Sequence, residues 1–67
     1  MSETVSYVVP GIHCSHCAAS ITEEVSEVDG VEAVDVDLDA KVVTIHGQAL
    51  SDTSLREAIR EAGYEAA

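Results

Sequence analysis

Residues 31–47, VEAVDVDLDAKVVTIHG, constrain the fold more than any other stretch of the chain. Val34, Val36 and Leu38 alternate with Asp35, Asp37 and Asp39, the period of two that gives a strand one buried and one acidic face. A turn near Asp39-Ala40 reverses the chain, and Val43 and Ile45 carry the apolar face back. Gly47 ends the second strand, so the segment reads as an antiparallel hairpin.

The flanks supply the other elements. Thr4 to Val9 alternates Val5, Tyr7 and Val9 against Thr4, Ser6 and Val8, a strand that Pro10-Gly11 ends. Cys17, Ala18, Ile21, Val25 and Val28 then recur at three- and four-residue spacings, with Glu23, Glu24 and Glu27 opposite. This helix stops at Asp29-Gly30, the glycine supplying a left-handed position after its last turn. After the hairpin, Ser51 or Asp52 caps a second helix carrying Leu55, Ala58, Ile59 and Ala62. Arg60 lies in its last turn, and Gly63 closes it. The last residues, Tyr64 to Ala67, leave room for a short final strand. The order βαββαβ predicts an α+β, ferredoxin-like domain over residues 1–67: a four-stranded antiparallel sheet with both helices on one face. Such a path brings the loop of Cys14 and Cys17, the Asp39-Ala40 turn and the Tyr64 loop to one end, with His46 at the other.

Charge and size narrow the function. Thirteen Asp and Glu against three Lys and Arg give a net charge of −10 in 67 residues. Binding to nucleic acid or to anionic membrane surfaces depends on cationic side chains, so neither is expected. The charge is explained by solubility, or by a protein partner with a basic patch. No apolar run approaches the ~20 residues that cross a bilayer. The first residues, MSETVSYVVPG, do not resemble a signal peptide, so the expected location is cytoplasmic, where thiols stay reduced. A core of Val, Ile, Leu and Ala, without Phe or Trp, leaves little room for a deep substrate cleft, and no enzyme is expected.

The chemistry concentrates in PGIHCSHCAA, residues 10–19. A CxxC can be a redox pair, but the only proline precedes it, so none is available to sit beside the pair as in a thioredoxin-like site. A structural zinc site needs four ligands, and with His46 remote it would need both His13 and His16 to turn inward. Two thiolates suffice for Cu(I), which is soft and accepts low coordination numbers. Cys17 falls in the first helical turn, where free N–H groups and the helix dipole favour a thiolate. An exposed loop at the domain tip suits transfer better than storage.

GIHCSHCAASI, the βαββαβ order and AGYE near the end resemble, over essentially the whole chain, the heavy-metal-associated domain family: small copper chaperones and the N-terminal domains of copper-transporting P-type ATPases. Gly11, Cys14 and Cys17 match the family's G-M-x-C-x-x-C motif, with Ile12 in place of a methionine that usually packs inward. Tyr64 matches a tyrosine that bacterial chaperones often carry beside the site. The resemblance implies Cu(I) held by Cys14 and Cys17 and passed by thiolate exchange to the metal-binding domain of a copper-transporting P-type ATPase. It implies Cys14 as the more exposed ligand.

Other side chains carry competing readings. His13 and His16 are modulators that could add a ligand, lower the thiol pKa values or admit Zn(II); otherwise each is a solvated loop residue, the reading favoured for His13. Tyr64 either shields the metal or fills the core. Lys41 either offsets the charge of the metal site or is a solvated turn lysine. The apo-protein is expected to be a monomer; copper could bridge two copies through four thiolates, against the repulsion of their charge. The alternative functions are a metal-binding domain of an ATPase, Zn(II) handling, and a small thiol–disulfide redox protein. A mercury carrier of this fold would be expected to carry a signal peptide.

Overall fold

The computed structural model describes residues 2–67. Five elements follow one another: β1 (Glu3–Val8), α1 (Ser15–Ser26), β2 (Val31–Asp37), β3 (Val42–Gly47) and α2 (Asp52–Glu61). The strands form one antiparallel sheet in the order β1-β3-β2. β3 is central, so its inward residues Val43 and Ile45 are wholly buried. Tyr7 and Val9 from the first strand region, Ile21 and Val25 from α1, and Leu55 and Ile59 from α2 complete an almost entirely aliphatic core. The outer face of the sheet is polar: Ser6 meets Thr44, and His46 bridges Thr4 Oγ1 and the Asp35 carboxylate.

The fourth strand is not formed among the described residues. Segment 65–67 meets the edge of β1 at a single ladder position, where Ala67 N–H donates to the Val8 carbonyl at 2.7 Å. One such bond does not make a strand, although Ala66 still packs on the core. The first helix also ends earlier than its sequence suggests. It is capped at Glu27, and Gly30, with φ of +91°, belongs to the turn into β2 rather than to the helix cap.

The second helix ends as its sequence predicts. Ser51 is its N-cap and accepts from Ser54 N–H. At the other end Gly63 adopts φ of +95°. Gly63 N–H donates to the Arg60 carbonyl and Tyr64 N–H to the Ile59 carbonyl, the paired bonds of a Schellman motif. That motif aims Tyr64 back over the top of the domain. At the base, Tyr7 O–H donates to Asp52 Oδ1 at 2.6 Å while the Arg56 guanidinium lies 5.1 Å from the Tyr7 ring centre. This contact ties the start of α2 to β1.

At the base Gly47 meets the turn into β2 backbone to backbone. A side-chain carbon on Gly47 would collide with the Gly30 carbonyl and reach the Leu50 side chain at 2.9 Å, whereas one on Gly63 would meet nothing within 4 Å. Gly63→Ala is therefore expected to cost only the backbone strain, about 1 kcal/mol. Gly47→Ala must displace main chain and should cost more, on the order of 2–3 kcal/mol. Urea unfolding of both variants checks the order; equal losses would contradict the packing described for the base.

Candidate metal centre

The loop between β1 and α1 is drawn inward by Ile12, whose side chain is wholly buried. Its main chain is tied at both ends. Val9 N–H donates to the Lys41 carbonyl at 2.8 Å, Ile12 N–H to the Val9 carbonyl at 3.2 Å, and Lys41 Nζ to the Ile12 carbonyl at 2.8 Å. Lys41 achieves this because it closes the hairpin in a left-handed conformation, φ 57°. The turn before it is held by Asp37 Oδ1, which accepts from the N–H groups of Asp39 and Ala40. Lys41 is thus neither a free turn residue nor a bare counter-charge; it clamps the loop. Nothing in the sequence marks a lysine for a positive φ.

With Ile12 fixed, Cys14 becomes the N-cap of α1, extended at φ −153°, ψ 166°. Its carbonyl accepts the first helical bond, from Ala18. Cys17 lies in the first turn on the inward face and is only 7 % exposed, while Cys14 is half-buried. The two free thiols lie 3.3 Å apart, sulfur to sulfur. A ring nitrogen of His13 joins them, the three donor atoms lying within 4.8 Å of one another. His16 is exposed on α1 and lies outside this cluster, and His46 is held by Thr4 and Asp35 at the far end of β3.

Tyr64 comes from the Schellman turn to cover the loop. Its ring packs over Gly11, where a side-chain carbon would touch it at 3.4 Å, and its hydroxyl is turned to Cys17. The Tyr64 hydroxyl, first of all, lowers the Cys17 thiol to about 7; the Cys14 thiol and the main-chain N–H of His13 act in the same direction, against partial burial. The Tyr64 phenol is raised in return, chiefly by Cys17 and by its own burial. The Tyr64 hydroxyl thus acts in the same direction as the helix terminus, in whose first turn Cys17 lies.

One surface groove lies away from the sulfurs. It starts at the C-terminal end of α1 and runs along α2, lined by Glu27, Asp29, Glu57, Arg60 and Glu61 among others. No helix among the described residues is long and apolar enough to cross a membrane.

A small βαββα domain with two thiols at its tip, and an imidazole nitrogen beside them, has the donor set of a soft-metal binder. The chain belongs to the heavy-metal-associated domain family, whose model matches residues 6–65. It is 41 % identical over 58 residues to the COP-associated protein of Helicobacter felis, a match covering 85 % of this chain and 88 % of that one. It is 38 % identical over 65 residues to the mercuric transport protein periplasmic component of Pseudomonas fluorescens, covering 94 % and 71 %. The solved copper chaperone Atx1 from Synechocystis PCC6803, in its Cu2 form, superposes with a TM-score of 0.82 at 41 % identity, covering 94 % of this chain and 98 % of that one. The fold is thus the ferredoxin-like one, with three strands in place of four.

Removing the Tyr64 hydroxyl tests its role. Tyr64→Phe should move the midpoint of Cys17 ionisation from about 7 towards the ordinary thiol value, about 8.5. Thiolate absorbance of the reduced, metal-free protein reads it. The lowered folded-state pKa also adds stability that is complete above the unfolded value and is lost as pH falls through about 7. Wild-type stability should therefore rise with pH across that window and Tyr64→Phe should flatten the rise. An unmoved midpoint would assign the shift to the loop N–H groups instead.

Proposed function

We propose that this single heavy-metal-associated domain binds Cu(I) through Cys14 and Cys17 and passes it to the CxxC metal-binding domain of a copper-transporting P-type ATPase. The observation that carries the reading is the thiol pair: two sulfurs 3.3 Å apart at the tip of the domain, one buried and one accessible. Two soft donors satisfy Cu(I) and leave its coordination open. An incoming thiolate approaches from the Cys14 side, forms a three-coordinate intermediate, and Cys14 exchanges ahead of the more enclosed Cys17. Copper stays Cu(I) throughout. The work of the domain is carriage rather than catalysis, and we place it in the cytoplasm on the strength of its likeness to copper chaperones.

The similarity to a periplasmic mercuric transport protein favours one second reading, Hg(II), which two thiolates also suit. A Zn(II) reading needs further ligands from the loop. A redox reading needs disulfide turnover, and the groove along α2 offers no substrate cleft beside the sulfurs.

An anaerobic titration of the reduced protein against chelators of known affinity separates these readings. Cu(I), Zn(II) and Hg(II) are each tested, with Cys14→Ser as control. The expected result is one Cu(I) per chain, not displaced by equimolar Zn(II), with affinity lowered at least about a hundredfold in the Cys14→Ser variant. Retention of Hg(II) alone would move the function to mercury transport, and weak binding of all three would contradict metal carriage altogether.

A further inference from the structure

The geometry points to His13 as a third ligand of the metal, binding through Nε2 beside the sulfurs of Cys14 and Cys17. The inference rests on the copper reading above and deepens it, replacing a two-sulfur site with one of two sulfurs and one imidazole nitrogen. Three observations carry it.

The first is position. Among the described residues, His13, Cys14 and Cys17 form a cluster whose donor atoms all lie within 4.8 Å of one another. Metal bonds of about 2.3 Å to sulfur and 2.0 Å to nitrogen, set at trigonal angles, hold such donors roughly 3.5–4 Å apart. One ring nitrogen of His13 already lies within 4.8 Å of both sulfurs, and an exposed side chain on a loop has the freedom to bring Nε2 to that separation.

The second is the state of the ring. His13 Nδ1 lies 3.0 Å from the Gly11 carbonyl oxygen. A carbonyl only accepts, so Nδ1 carries the proton and donates, and the lone pair of the neutral ring falls on Nε2. Metal-bound histidines are characteristically held in this way, with one ring N–H given to a backbone carbonyl or carboxylate so that the tautomer is fixed and the other nitrogen is free to bind. The carbonyl in question belongs to the loop that Ile12 and Lys41 immobilise.

The third is the contrast with the other histidines. His16, although it sits between the two cysteines in sequence, is exposed on α1 and outside the cluster. His46 has both nitrogens engaged, with Thr4 and Asp35. His13 alone combines a prepared tautomer with nearness to both sulfurs.

An imidazole in this place changes what the site does. It blocks the open side of the two-thiolate ion while the protein travels, and it is the weakest and most exposed of the three donors. During transfer a partner thiolate forms its bond to Cu(I) as the bond to Nε2 breaks; no electron moves, and Nδ1–H stays on the Gly11 carbonyl throughout.

The test uses the full chain loaded with one equivalent of Cu(I) under anaerobic conditions. X-ray absorption should find two sulfurs and one nitrogen around copper, and 15N spectra of the ring should report a shift of Nε2, not Nδ1, on loading. His13→Ala should lose the nitrogen scatterer and weaken Cu(I) in chelator competition at least about tenfold, while His16→Ala retains both. A wild-type chain that holds one Cu(I) with two sulfurs only, or whose His13 ring resonances do not move, would overturn the third ligand and leave the copper reading standing. Failure of the wild-type chain to hold Cu(I) at all, read from the stoichiometry before any spectrum, would overturn both.

Discussion

Burial of Ile12 is the constraint on which the metal loop depends. The loop leaves β1 through Pro10-Gly11, a sequence with no regular structure to hold it, and would be free to sample many shapes. An isoleucine side chain wholly enclosed by the core removes that freedom at a cost the core repays in apolar contact. Once Ile12 is down, its carbonyl faces Lys41 and its neighbours are placed without further choice: His13 outward, Cys14 at the cap of α1, Cys17 one turn on and inward. The role asks for volume and burial, which an isoleucine supplies.

Two clamps from distant parts of the chain converge on that loop. Lys41 reaches it from the β2–β3 turn, and Tyr64 reaches it from the end of α2. Both depend on residues with positive φ, Lys41 itself and Gly63. Their electrostatic effects are complementary. The Tyr64 hydroxyl favours the Cys17 thiolate, and Lys41 brings a cation to the main chain of a domain whose net charge is −10. Elsewhere that charge is spread over the outer faces of α1, α2 and β2.

Most of this architecture is legible in the sequence because it rests on periodicity. The alternation of Val34, Val36, Val43 and Ile45 and the helical spacing of Cys17, Ile21 and Val25 identify elements whose inward residues are largely buried. The meeting of three loops at one end follows from topology alone. What escapes is set by single backbone conformations and short-range pairing. Gly30 looks like a helix stop but serves the next turn, since the helix is already capped at Glu27. Tyr64 to Ala67 look like a strand but make one ladder bond, since the Schellman turn spends the first of them and Ala67 is the first to reach β1. At the site, the cysteine pair is plain from its spacing. The gathering of His13 with it is not, because side-chain direction in an irregular loop has no period to read.

In the proposed function copper is handed over by ligand exchange rather than released and recaptured. Mixing the Cu(I)-loaded chain with a labelled CxxC acceptor domain, and comparing the transfer rate with loss of Cu(I) to a chelator that cannot dock, separates the two routes. Transfer by exchange predicts a rate that rises with acceptor concentration and exceeds spontaneous loss. A transfer rate equal to spontaneous loss, whatever the acceptor concentration, would contradict it.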